Sequence, residues 1–238
     1  MANILIGEKK QNQEPYIINI NNTNYETYED KSLLRFLRDD LHITSVKDGC
    51  SQGACGTCTV IVSEKRSAAC TQRLSKLKGK EILTIEGLSQ KEKDVFVYAF
   101  EKVGAVQCGF CTPGMVMSGM AIIKNNPNPS EEEIKEGIKS NICRCTGYVK
   151  IIKGIKLASE ILNGNLEIEK DDKKNYIVGD RMSRIDAHDK VLGIGKYVDD
   201  MQVEDLNYAS AIRSKYPRAR ILSIDYSKAL EAVSYTHL

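Results

Sequence analysis

Tryptophan is absent from this 238-residue chain, and phenylalanine occurs only four times. With so few aromatic rings, and those scattered, there is no platform on which nucleobases could stack. An excess of one charge is also missing. The 34 Lys and Arg stand against 32 Asp and Glu, for a net +2, and the signs alternate, as from Glu167 to Lys174. A nucleic-acid partner would need a concentrated basic face, so none is expected. No apolar run approaches the ~20 residues that span a bilayer, so no membrane partner is expected. Met1 to Lys10 show no basic stretch leading into an apolar core. Phosphate loops, dinucleotide fingerprints and Ser–His–Asp constellations are lacking too. His42, His188 and His237 are lone histidines in unrelated contexts, read as surface or satisfied residues.

What is present is cysteine, in an ordered pattern. All eight fall into two quartets, and none is left over. Cys50, Cys55, Cys58 and Cys70 are spaced C-x4-C-x2-C-x11-C, and Cys108, Cys111, Cys143 and Cys145 are spaced C-x2-C-x31-C-x-C. A disulfide framework belongs mainly to short secreted chains. Thiolates gathered at metal sites fit the reducing cytoplasm, which is the expected location. The first spacing is that of the plant-type [2Fe-2S] loop. In Asp48 to Cys58, Gly49, Gly53 and Gly56 permit positive φ and close approach of the main chain to sulfur. Backbone N–H groups converging there would tune a reduction potential. Zinc is the rival, but it prefers pairs of C-x2-C knuckles. The second quartet is less telling, since its spacing suits either zinc or an iron–sulfur cluster. Both of its pairs precede helices, whose N-terminal dipoles favour thiolate charge.

Periodicity divides the chain. Residues 1–90 read as a small α/β unit. Tyr16–Ile20 is an apolar strand, Asn21–Asn24 a turn, and Tyr25–Glu29 its hairpin partner. Leu33, Leu34, Phe36, Leu37 and Leu41 recur at helical spacing, with charges on the other face. Thr57–Val62 and Glu81–Ile85 read as strands, with a return over Ser67–Gln72. That element order suits a β-grasp sheet. Residues 91–163 read as a four-helix bundle. Pro113 sits near a helix start, Ser130 to Glu133 form a capping box, and Tyr148 to Leu162 make the last helix. Met115, Met117 and Met120 read as core fillers. Residues 164–180 form a polar linker, and residues 181–238 are too few to bury a robust core alone.

The strings DGCSQGACGTCTV, AVQCGFCTPGMVM and NICRCTGYVKI resemble the iron–sulfur part of the molybdenum hydroxylases, which include xanthine dehydrogenase and aldehyde oxidoreductase. The resemblance runs from residue 15 to about residue 232. It implies an α+β architecture in three parts: a plant-type ferredoxin β-grasp domain, a four-helix-bundle [2Fe-2S] domain, and the truncated start of the molybdopterin-binding region. That last part rests on Arg184 to Ala187, Lys190 to Gly193, Lys196 to Asp200 and Ile212 to Asp225. The resemblance also implies two [2Fe-2S] clusters, one on each cysteine quartet. Electrons would pass from a molybdenum centre through the helical-domain cluster and the β-grasp cluster to a flavin subunit or another acceptor. The positions of Gln107 and Cys145 would lie against the pterin of the molybdopterin cofactor.

The family's long members carry a flavin domain where this chain has only the stretch between Leu162 and Arg181, so FAD is not expected on this chain. Leu34–Asp40 and Arg213–Arg220 incline the resemblance toward the selenium-dependent xanthine dehydrogenases, hence toward xanthine or another purine as substrate. An aldehyde oxidoreductase and a stand-alone electron-transfer subunit are the alternatives, and a zinc-stapled interaction module is a third. The catalytic residues, and the molybdenum-binding remainder that would be this part's partner in the same chain, are expected beyond the present sequence. The ending Val233-Ser234-Tyr235-Thr236-His237-Leu238 breaks the family pattern and looks more like translated adapter than protein.

Overall fold

The computed structural model describes residues 3–11, 13–169, 177–180, 182–201, 203–204 and 210–230. The described residues fall into two compact units, 1–196 and 197–238.

The first unit begins with a six-stranded sheet. Its strands are β1 (Ile4–Leu5), β2 (Tyr16–Ile20), β3 (Thr23–Thr27), β4 (Thr59–Val62), β5 (Lys65–Ala68) and β6 (Glu81–Leu83), in the order β1-β3-β2-β6-β4-β5. Strands β2 and β3 pair antiparallel through a tight turn in which Asn21 and Asn22 both take positive φ, a conformation asparagine tolerates. Strand β6 inserts between β2, to which it is parallel, and β4, to which it is antiparallel.

The helix expected over Leu33–Leu41 is only partly regular. After α1 (Leu33–Arg35), capped by the Ser32 hydroxyl, the chain widens into a π turn over Phe36–Asp40, closed by Leu41 N–H donating to Phe36 O at 3.2 Å. The wider turn carries Arg38 into the core rather than to the charged face the periodicity suggests. There its guanidinium donates to Val46 O at 3.1 Å and Thr44 O at 3.4 Å. A buried arginine persists because such carbonyls replace its water.

Four helices follow: α2 (Gln90–Val103), α3 (Thr112–Asn125), α4 (Glu131–Ile138) and α5 (Val149–Leu162). Helices α2 and α4 open with full capping boxes, Ser89 with Glu92 and Ser130 with Glu133. Phe96, Phe100, Met115, Met117, Met120, Ile134, Ile151 and Ile155 pack in the shared helical core. The three methionines thus fill the core as their spacing suggests.

Strand β4 joins the two halves. Val60 and Val62 face the core beneath the sheet with Leu34, Phe36 and Leu37, whereas Ile61 belongs to the helical core. Burying each such side chain stabilises by roughly 2 kcal/mol, so this strand is anchored on both faces. A short sixth helix, α6 (Ala187–Val191), places Val191 and Leu192 in the helical core.

The second unit has a 3₁₀ turn at Val198–Asp200 and the short helix α7 (Ser227–Leu230), and residues 210–228 are exposed. Much of the expected linker (170–176), Arg181 and the ending Val233–Leu238, with His237, lie outside the described residues. Among the described residues no helix is long and apolar enough to cross a membrane.

Candidate metal centres

The first quartet is built on a loop between the π turn and β4. Asp48 sets its entry: its carboxylate accepts from Ser51 N–H at 3.1 Å, from Ser51 Oγ at 2.7 Å and from Arg35 Nη2 at 3.1 Å. Ser51, Gly53 and Gly56 then take positive φ, which coils the chain inward. Gly49 contributes close approach instead, since a Cβ there would stand 3.1 Å from Cys55 Sγ.

Backbone donors point at sulfur. Gly53 N–H donates to Cys70 Sγ at 3.1 Å and Gln52 N–H to Cys50 Sγ at 3.4 Å. Cys50 and Cys55 share a thiol hydrogen bond, as do Cys58 and Cys70, and the charge of Cys70 acts on both Cys55 and Cys58. The environments differ sharply. The Gln52 N–H, with those of Cys55 and Ala54, brings Cys50 down to about 7. Burial pushes Cys58 up to about 12 and also raises Cys55.

The second quartet gathers at the end of the helical half. Cys111 caps α3, and Cys145 lies four residues before α5. The Cys111 and Cys143 thiols share a hydrogen bond, as do those of Cys108 and Cys145, and the charge of Cys108 also acts on Cys111. Burial drives Cys111 far above the ordinary thiol range. Burial likewise raises Cys143, but the Thr146 hydroxyl and the N–H groups of Thr146 and Cys145 outweigh it, so the thiol ends below its usual value. Cys145 is raised by its bond to Cys108, although the Cys108 N–H donates to it in opposition. Tyr148, at φ 69°, turns its hydroxyl to accept from Cys143 N–H at 2.9 Å.

Among the described residues no three His, Cys, Asp or Glu side chains converge on one metal ion; the thiols lie as linked pairs. The donor set, thiols with backbone N–H groups aimed at sulfur, is of the kind that would hold a [2Fe-2S] cluster.

The two sites meet at a polar seam that spacing does not reveal. Asn141, buried, donates Nδ2 to Gly56 O at 2.8 Å, Thr59 Oγ1 at 3.2 Å and Gly114 O at 3.4 Å, and its Oδ1 accepts from Ser118 Oγ at 2.8 Å. Arg66 reaches Asn141 Oδ1 at 3.3 Å and Gly137 O. Next along the chain, Ile142 N–H donates to Cys55 O at 2.8 Å. The signal for this seam was the pair Asn141-Ile142 directly before Cys143, but only the fold shows what it faces.

Comparison with known proteins finds two overlapping family matches. Residues 7–103 match the 2Fe-2S iron-sulfur cluster binding domain, and residues 84–156 match the [2Fe-2S] binding domain. The nicotinate dehydrogenase small FeS subunit of Eubacterium barkeri is 42% identical over 135 residues, covering 56% of this chain and 86% of that one. The chain belongs to the molybdenum hydroxylases, as their iron–sulfur part.

Other members of the family differ in extent. The aldehyde oxidoreductase of Megalodesulfovibrio gigas is 32% identical over 231 residues, which is 90% of this chain and 25% of that protein. The crystal structure of the Desulfovibrio desulfuricans aldehyde oxidoreductase superposes with a TM-score of 0.73 at 33% identity, over 79% of this chain and 22% of that one. This molybdenum-hydroxylase chain therefore spans about a fifth to a quarter of the aldehyde oxidoreductases it matches. As a family member it is an α+β protein with two [2Fe-2S] centres, which carry electrons, whereas the molybdopterin cofactor belongs to the complete enzyme.

Proposed function

We propose that Cys50, Cys55, Cys58 and Cys70 hold one [2Fe-2S] cluster and Cys108, Cys111, Cys143 and Cys145 the other. In this reading the sheet half is a ferredoxin-like β-grasp domain (1–90), the helical half a bundle (91–163), and residues 181–238 the beginning of a molybdopterin-binding region after a linker (164–180). When bound, each cluster supplies a one-electron carrier. Gln107 and Cys145 face the pterin, and electrons leave the first quartet for a flavin subunit or another acceptor. The setting is cytoplasmic.

The observation that carries this reading is the hydrogen bond from Ile142 N–H to Cys55 O, 2.8 Å long. Ile142 adjoins Cys143, so one hydrogen bond links a residue next to a ligand of the second site to a ligand of the first. The chain's own residues do the rest. Cys58 and Cys143 are buried and keep water from one side of each site. Backbone donors at Gly53 and Gln52 stabilise thiolate charge. Asn141 holds the two loops in register. The exposed Cys108 and Cys145 leave the second site open toward a molybdenum-binding partner.

The parent reaction is hydroxylation of xanthine or a related purine beside a ring nitrogen, with oxygen taken from water. It is supported by 39% identity over 128 residues to a small protein of Bacillus subtilis described as part of a probable xanthine dehydrogenase. An aldehyde oxidoreductase is the second reading, favoured by the alignment with M. gigas that continues over 90% of this chain. Anaerobic reconstitution tests the wiring. Four iron and four sulfide per chain are expected, two of each per [2Fe-2S] domain, with two distinguishable paramagnetic resonance signals on reduction. A single signal overturns the assignment. Joining the chain to its molybdenum-binding remainder and assaying xanthine against an aldehyde decides the substrate.

A further inference from the structure

The segment that opens at Arg184 packs against the second cysteine loop through a small charged network. Lys190 Nζ pairs with Asp186 Oδ2 at 2.8 Å and donates to Gln107 O at 3.3 Å. Arg184 pairs with the same carboxylate, its Nη2 at 3.1 Å from Oδ2, and its Nη1 reaches Val106 O at 3.5 Å. One carboxylate thus holds two cations, and both cations cap carbonyls of the two residues before Cys108.

The aliphatic part of Lys190 lies directly on Gly109. A Cβ at Gly109 would stand 2.7 Å from Lys190 Cγ and Cδ, and the glycine sits at φ +85°. Only glycine admits the lysine at this distance without a shift. The segment is anchored further along as well: the buried Lys47 donates to Gly193 O at 3.4 Å and Gly195 O at 3.3 Å. Lys190 therefore has a fixed place over the loop and is not simply a solvated surface cation.

The carbonyl of Gln107 and the N–H of Cys108 belong to one peptide group. A cation on the oxygen polarises that group and strengthens its N–H as a donor. That N–H donates to the Cys145 thiol. Reduction adds negative charge at the site, and donors aimed at its sulfurs favour the reduced state.

We propose that Lys190, held by Asp186, is a positioning residue that raises the reduction potential of the second iron–sulfur site through the Gln107–Cys108 peptide. The proposal rests on the cluster assignment above.

A redox titration of the reconstituted chain, followed by paramagnetic resonance, tests it. Lys190→Met shifts one of the two signals to lower potential and leaves the other in place, and Lys190→Arg restores most of the shift. Lys190→Gln, a milder change that keeps a donor but loses the charge, gives an intermediate value and carries the test if the methionine variant does not load. An unmoved signal, or two signals moving together, overturns the proposal while leaving the cluster assignment standing. Failure of the unsubstituted chain to show two signals overturns the assignment, and this proposal with it.

Discussion

Asn141 Nδ2 donates to Gly56 O at 2.8 Å, across the seam between the sheet half and the helical half. The donor comes from the stretch before the Cys143-Arg144-Cys145 pair and the acceptor from the loop of the first quartet. One side chain therefore ties the loop of the first cysteine quartet to the helical half.

Replacing Asn141 by Ala should cost ~2–4 kcal/mol, because the buried carbonyls of Gly56 and Gly114 and the hydroxyl of Ser118 lose a partner where water is excluded. Chemical denaturation of the reconstituted chain measures it. Asn141→Asp should be nearly as harmful, since it keeps the shape and loses the donor. A change below ~0.5 kcal/mol for both would show that the seam is not held here.

Gly56→Ala should be worse than an ordinary surface change. The residue sits at φ +66°, and its Cβ would stand 2.3 Å from Ser140 O. A destabilisation of ~2 kcal/mol or more is expected. The spin coupling between the two reduced sites should also weaken as the loops part. Unchanged coupling in a folded variant would mean that the seam does not set the distance.

In the metal-free chain, Cys50 should be alkylated first at neutral pH. Its thiol is brought down to about 7 by the Gln52 N–H, so a large fraction is thiolate there. Cys58, pushed up to about 12 by burial, should stay unmodified until far higher pH. The sign follows from the shifts: a lowered thiol ionises as pH rises through about 7, a raised one only near 12. Peptide mapping after brief iodoacetamide treatment reads the order, and early loss of Cys58 would contradict it.

Removing a ligand from one quartet should spare the other. Cys70→Ala is expected to abolish one resonance signal and Cys111→Ser the other, with iron and sulfide content falling by half in each variant. If either change removed both signals, the sites would not be independent.

The regular elements of the first unit were largely legible locally. Strand β2 stands over Tyr16–Ile20 as its apolar run suggests, and Ser130 to Glu133 cap α4 as their spacing suggests. These signals act within a few residues, so the chain states them directly. Strand β1, only two exposed residues pairing parallel to β3, gives no such signal. The π turn at Phe36–Asp40 is hidden for a related reason. It goes with the burial of Arg38, whose partner, the Val46 carbonyl, is not part of any helical period.

The first cysteine spacing, by itself, pointed to a [2Fe-2S] loop, because such a loop must place its thiolates at short, fixed separations; the strings around both quartets, not the second spacing, pointed to the family. Only the tertiary structure decided how the halves meet: β4 buried on both faces, Asn141 bridging Gly56 and Gly114, Ile142 bonded to Cys55, and Lys190 seated on Gly109. Each of these joins residues far apart in sequence through a buried polar or van der Waals contact. Such a contact exists only once the intervening chain has folded and excluded the water that would otherwise replace it.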